Sequence, residues 1–186
     1  EDLLKDLATL GRPVVILTGG EPLLRPDIFH LARFGSDLGL RMVMAVNGTL
    51  LTPIIARGLK EAGIQRLSIS LDGPDQASHD QFRGQPGAFA GALEGMQAAR
   101  EAGLDFQINT TVTRSNLPWM ERIQELAVEL GAVAHHIFLL VPTGRGRALT
   151  GEIISAQEYE EVLHWFADRM GQVPLELKAT CAPHFY

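Results

Sequence analysis

The chain has 186 residues, 46% of them apolar and 20% charged, which is enough for one sizeable core and unlike a disordered or collagen-like composition. A formal net charge of −6 without a basic stripe argues against a nucleic-acid partner, and no apolar run is long enough to cross a bilayer, so a soluble, cytoplasmic protein is expected. Its single cysteine, Cys181, excludes an internal disulfide framework and a multi-thiolate metal site built from this chain alone.

The chain opens without Met, inside a helical pattern in which Leu3, Leu4, Leu7 and Leu10 keep a 3.6-residue beat, and it reads as an excised piece of a longer protein. Six times an amphipathic stretch then ends at a glycine and a strand-like run follows. The glycines are Gly11, Gly39, Gly63, Gly103, Gly131 and Gly171, and the runs are 14–17, 42–46, 67–71, 106–112, 136–141 and 175–177. A glycine at that place supplies the left-handed residue that ends a helix. Strands separated by helices of this length lie parallel, because the helix is the crossover a parallel pair needs. The expected class is α/β.

Strand faces refine this. Ser68 and Ser70 share one face, as do Gln107, Asn109 and Thr111, whereas a sheet covered by helices on both sides reads as continuous apolar runs. One wet face suits a partial barrel holding a polar ligand; a packed barrel with hydrogen-bonded core polars is the alternative. Ligands of parallel α/β folds bind at the C-terminal strand ends, here the loops at 18–23, 46–49, 70–74, 113–116 and 142–147.

At the first of these loops, Gly19 and Gly20 bare their peptide carbonyls, Glu21 adds a negative charge and Pro22 fixes the exit. The loop suits an ammonium and lacks the lysine and the glycine spacing of phosphate loops. A plain strand-to-helix turn with an exposed acid is the other reading.

Gly19-Gly20-Glu21-Pro22, then Asn47-Gly48-Thr49-Leu50, then Ser70-Leu71-Asp72-Gly73-Pro74 with His79-Asp80 and Arg83-Gly84, each after a strand, together resemble the radical S-adenosylmethionine (SAM) enzymes, in particular the branch with a C-terminal SPASM-type extension. The resemblance runs over residues 14–141. It implies a partial (β/α)6 TIM-like barrel, here truncated at the first strand, with residues 1–174 as the core and 175–186 as the start of the extension. It also implies SAM and a [4Fe-4S] cluster as cofactors, an electron donor as partner, and a 5′-deoxyadenosyl radical made by reductive SAM cleavage.

Residue by residue, the resemblance implies that Gly19, Gly20 and Glu21, with Pro22 shaping the turn, hold the methionine ammonium. Ser70 and Asn47 meet the ribose, and Arg83 pairs with the methionine carboxylate. Asn109, Thr111 and the backbone from Leu139 to Val141 bracket the adenosine. Asp72 belongs to the same set, with a loop-forming role in its Asp-Gly turn as the alternative. The three-cysteine loop C-x-x-x-C-x-x-C is absent, so the cluster ligands are expected outside this chain and the chain alone is expected to be inactive.

Residues 140–147 and 178–186 resemble radical SAM proteins of modified-haem biosynthesis, which implies a small-molecule substrate of the tetrapyrrole kind, with a peptide as the alternative. Arg145 and Arg147 would meet substrate carboxylates or else be a solvated loop end. Cys181 would be a ligand of an auxiliary iron-sulfur cluster or a small buried hydrophobe. His135 and His136 face opposite ways in a strand and read as packing, not chelation.

Overall fold

The computed structural model describes residues 1–182, with the side chain of Arg145 outside the described set. Helices and strands alternate along the chain. They are α1 (Asp2–Thr9), β1 (Val14–Leu17), α2 (Ile28–Asp37), β2 (Arg41–Val46), α3 (Pro53–Glu61), β3 (Arg66–Ser70), α4 (Gln76–Arg83), α5 (Ala88–Glu101), β4 (Asp105–Val112), α6 (Met120–Glu129), β5 (Ala134–Leu139), α7 (Ala156–Asp168) and β6 (Glu176–Thr180). Hydrogen-bonded neighbours follow chain order, β1-β2-β3-β4-β5-β6. A doubly wound sheet reverses its order at a switch point, and this one does not, which is the strand order of a (β/α) barrel.

The glycine rule holds at all six positions, where φ runs from +64° to +129°. Its physical basis is plainest after α3. Gly63 N–H donates to Lys60 C=O at 3.0 Å and Ile64 N–H to Leu59 C=O at 3.0 Å, which closes the last carbonyls of the helix in a Schellman turn and drops Ile64 into the core. The same pair of bonds ends α2, α5 and α6, burying Leu40, Leu104 and Ala132.

The chain divides into two compact units. One comprises Glu1–Ser70 with Ala90–Gln107, the other Leu71–Phe89 with the chain from Ile108 onward. In the first, β1 and β2 are parallel with Ile16 opposite Val43, and β2 and β3 are parallel with Val43 opposite Arg66 and Ala45 opposite Ser68. Met44, Leu67 and Ile69 are fully buried on one face, with Ala56 and Leu59 of α3 and Met96 of α5 also sealed from solvent. Each such large apolar side chain contributes about 1.5–3 kcal/mol. On the other face Arg66, Ser68 and Ser70 are only half-buried, and Ile16 is exposed.

In the second unit β5 and β6 are parallel, with His136 opposite Lys178 and Phe138 opposite Thr180. Ile108, Thr110, His135 and Ile137 are buried, as are Ile123 of α6 and Phe166 of α7, while Asn109, Thr111, His136 and Phe138 stay half-buried on the alternate positions. Each unit thus keeps its alternating polar positions half-buried, Ser68 and Ser70 in the first and Asn109 and Thr111 in the second; Gln107 is buried.

Two boundaries differ from expectation. β5 lies at 134–139 instead of 136–141, because the apolar run read as strand continues into Leu140 and Val141 after the ladder has ended. β6 spans 176–180 instead of 175–177 and pairs with β5, within the stretch 175–186. The remainder of that stretch, Pro183 to Tyr186, lies outside the described residues.

Candidate functional site

In the first unit the exit of β1 is built from Gly19, with φ +146°, and Gly20, both exposed. A Cβ at Gly20 would meet nothing within 4 Å, so no neighbour in the chain demands glycine there. Glu21 caps the 3-10 turn Pro22–Leu24, its Oε1 accepting from Leu23 N–H at 3.2 Å. Its Oε2 accepts from Asn47 N–H at 2.8 Å, which ties this loop to the exit of β2. Pro22 is buried, and a cavity of about 500 Å³ runs along β1, lined by Leu4 and Leu7 of α1 and Ile28 and Leu31 of α2 and reaching Gly20 and Glu21.

Asn47 is half-buried and its Oδ1 accepts from both Thr49 N–H (2.9 Å) and Thr49 Oγ1 (2.8 Å), forming an Asx turn that leaves its amide nitrogen to donate elsewhere. The turn is pressed against α5. A Cβ at Gly95 would lie 2.4 Å from Gly48 O, and one at Gly91 would lie 3.1 Å from Thr49 Cγ2. Sequence reasoning missed Gly91 and Gly95; their four-residue spacing on one helix face was the available signal. Ser70 ends β3 on the half-buried face that also carries Ser68.

In the second unit, Asp72 is 1% exposed. Its Oδ1 accepts from Thr111 N–H at 2.8 Å and its Oδ2 forms an ion pair with Arg83 Nη2. Both carboxylate oxygens face partners within the protein, Oδ2 through the charge of Arg83 and not an aligned hydrogen bond, which is in keeping with a loop-forming role. Arg83 closes α4 just before Gly84, with its side chain 31% exposed. Asn109 and Thr111 project from the half-buried face of β4, and their backbones brace the Leu71-Asp72 segment, since Leu71 N–H donates to Asn109 C=O at 3.0 Å.

Buried polar residues to which the sequence reading gave no role in the site support this segment. His79 Nδ1 accepts from Asp72 N–H at 3.1 Å, and burial lowers the pKa of its imidazole, with the charge of Asp72 opposing. Asn116 Nδ2 donates to Asp72 C=O at 3.0 Å and to Thr111 C=O at 2.8 Å. Thr110 Oγ1 donates to Leu71 C=O at 2.7 Å and lies 3.0 Å from His135 Nε2; with the hydroxyl proton committed, the imidazole must be the donor. His135 is sealed from solvent, edge-on to Phe166, and His136 is half-buried on the opposite face, so the pair packs separately as expected.

Leu139 is buried at the end of β5, whereas Val141 lies beyond the strand, 49% exposed, its carbonyl accepting from Thr143 N–H at 2.7 Å. Arg147 is exposed on the 3-10 segment Gly144–Glu152; the Arg145 side chain lies outside the described residues. That segment is fastened at Glu152, whose Oε2 accepts from Ser115 N–H at 3.0 Å and whose carbonyl accepts from Arg114 N–H at 2.8 Å. Cys181 is exposed, which overturns the buried-hydrophobe reading, and has φ +61°. Among the described residues no group of three His, Cys, Asp or Glu is placed to hold a metal, and no helix is long and apolar enough to cross a membrane.

A profile of the Radical SAM superfamily matches residues 1–138, and the chain belongs to that superfamily. Among curated proteins it is 54% identical to the AdoMet-dependent heme synthase of Nitratidesulfovibrio vulgaris, over 99% of this chain and 50% of that protein. It is 52% identical to the protein of the same name from Methanosarcina barkeri, over 98% of this chain and 52% of that one. The chain therefore spans about half the length of the curated relatives it matches. Among solved structures, Streptococcus suis SuiB bound to S-adenosylmethionine superposes with a TM-score of 0.68 at 17% identity, over 92% of this chain and 38% of that one, a likeness of fold.

Proposed function

We propose that the chain is the SAM-binding portion of a radical SAM enzyme acting in haem biosynthesis on a tetrapyrrole substrate. The observation that carries the reading is the exposed Gly19-Gly20 peptide, with open space where a Cβ at Gly20 would stand and the Glu21 carboxylate beside it. Those carbonyls and that carboxylate suit a methionine ammonium, and each Glu21 oxygen that already accepts one backbone N–H keeps a second lone pair. Ser70 and the Asn47 amide are assigned to ribose hydroxyls, Asn109, Thr111 and Leu139 to the adenosine, and Arg83 to the methionine carboxylate.

A [4Fe-4S] cluster does not fit the residues of this chain, which has one cysteine, so its ligands are assigned elsewhere in the protein. Reductive SAM cleavage, with an external electron donor, is the chemistry the reading requires of the whole protein. Relatives named AdoMet-dependent heme synthase, at 52–54% identity, support the tetrapyrrole; a relative named PqqA peptide cyclase matches at 34%. Arg147 is assigned to a substrate carboxylate and Cys181 to an auxiliary cluster in a C-terminal extension.

The test uses the full-length protein, reconstituted anaerobically with iron and sulfide. With dithionite and SAM, 5′-deoxyadenosine is expected, increasing on addition of an iron tetrapyrrole bearing propionate side chains. Absence of 5′-deoxyadenosine from a cluster-loaded sample overturns the radical SAM reading, and an increase with a peptide alone overturns the tetrapyrrole.

A further inference from the structure

Arg83 is the residue assigned to a ligand carboxylate, yet a long side chain at the end of an exposed helix has many rotamers and loses that freedom on binding. In the second unit one of its nitrogens, Nη2, is already paired with Asp72. Asp72 itself has nowhere to move. Its side chain is fully buried, its Oδ1 accepts from Thr111 N–H at 2.8 Å, its N–H donates to His79 Nδ1 at 3.1 Å, and its C=O accepts from Asn116 Nδ2 at 3.0 Å. Asn116, 4% exposed, also donates to Thr111 C=O at 2.8 Å, so side chain and backbone of Asp72 are locked to β4 from both sides.

We propose that Asp72 is a positioning residue: through this ion pair it holds the guanidinium of Arg83 in advance, leaving its other nitrogens for a ligand carboxylate. The proposal rests on the SAM reading above and deepens it. An alternative role for Asp72, simple neutralisation of Arg83, makes the opposite prediction. Removing a neutralising charge would tighten carboxylate binding, whereas removing a positioning contact weakens it.

Asp72→Asn is the informative change, because asparagine keeps the shape and an oxygen for Thr111 N–H while losing the charge that holds Arg83. SAM affinity is measured by calorimetry on the cluster-loaded full-length protein, for wild type, D72N, R83Q and the double variant, with 5′-methylthioadenosine as a ligand lacking the carboxylate. Expected is a loss of about tenfold in SAM affinity for D72N, a larger loss for R83Q, and no further loss in the double variant. Affinity for 5′-methylthioadenosine stays unchanged throughout.

Tighter or unchanged SAM binding by D72N overturns the proposal, as does a D72N loss that adds in full to that of R83Q or that extends to 5′-methylthioadenosine. Wild-type protein that binds no SAM overturns the SAM reading itself, and this proposal with it. Should D72N not fold, water exchange at the Arg83 Nε–H of the unliganded wild type decides: slow exchange, identified by its absence in R83Q, supports an arginine held in place, and exchange as fast as free arginine overturns it.

Discussion

Glu21 Oε2 accepts the backbone N–H of Asn47 at 2.8 Å, so the acid at the exit of β1 holds the peptide at the exit of β2. The other oxygen accepts Leu23 N–H, and one carboxylate thereby satisfies two backbone donors on two loops. Glutamine offers one acceptor where the carboxylate offers two, and E21Q leaves one of these N–H groups unpaired. The expected cost is about 1–3 kcal/mol in chemical denaturation, with faster amide exchange at Asn47 or Leu23 and unchanged exchange in the core of β2. Unaltered exchange at both amides would refute this bridging role.

Gly19 and Gly20 are adjacent but separable. At φ +146° Gly19 sits where a Cβ is strained whatever the space, and G19A is expected to lower stability by about 1–2 kcal/mol. Gly20 has no such dihedral and no neighbour within 4 Å of a Cβ. G20A should leave stability within about 1 kcal/mol of wild type, because less chain entropy is lost on folding. Its SAM affinity, measured on the full-length protein, should nevertheless fall by tenfold or more, since the added methyl occupies the space a ligand would use. A variant that melts normally and binds SAM normally would remove Gly20 from the site.

Much of the fold was legible because its signals are local. A glycine after an apolar helix specifies its own Schellman bonds, as Gly63 does with Lys60, and alternation in 67–70 assigns Ser68 and Ser70 to one face without reference to any neighbour. The β1 loop was legible for the same reason. What escaped was long-range. The partners of Asp72, Thr111 and Arg83, stand 39 and 11 positions away, and no local pattern names them. His79 stood in a motif without a role of its own, and Thr110, Asn116 and His135 carry no motif, because a buried hydrogen-bond partner is defined by what the fold brings to it. The end of β5 was misplaced since Leu140 and Val141 are as apolar as the strand they follow, and only the ladder marks where it stops.

The packing of α5 on the Asn47-Gly48-Thr49 turn makes a steric prediction. A methyl at Gly95 would stand 2.4 Å from the Gly48 carbonyl, a backbone atom that cannot rotate away. G95A, which on helix propensity alone should stabilise α5 by about 1 kcal/mol, is therefore expected to destabilise the protein by about 1–3 kcal/mol. G91A meets Thr49 at 3.1–3.2 Å, a milder crowding that a small shift relieves, and should cost less. Thermal denaturation of the two variants side by side checks the order; a G95A protein more stable than wild type would show that α5 is free to move away from the turn.

Two buried histidines set an acid sensitivity that can be isolated by pH. Burial, with a smaller push from His136, lowers the pKa of His135 to about 3, and burial also lowers that of His79. In the unfolded chain both protonate near pH 6.5. Below that pH the unfolded state binds protons the native state refuses, so stability is complete above pH 6.5 and declines as the pH falls toward the native-state value. For His135 the slope near the middle of this range approaches about 1.4 kcal/mol per pH unit, and His79 adds to it in the same direction. Carboxyls held below their usual range by backbone donors, such as Asp80 by Phe89 and Glu152 by the Ser115 hydroxyl and N–H, add their own loss only once the pH drops under about 4.5. Urea denaturation between pH 6.5 and 4.5 therefore reads the histidines. H135Q, whose amide can still donate to Thr110, should lower the slope in that interval, and a slope unchanged by it would mean that His135 accepts a proton in the folded protein.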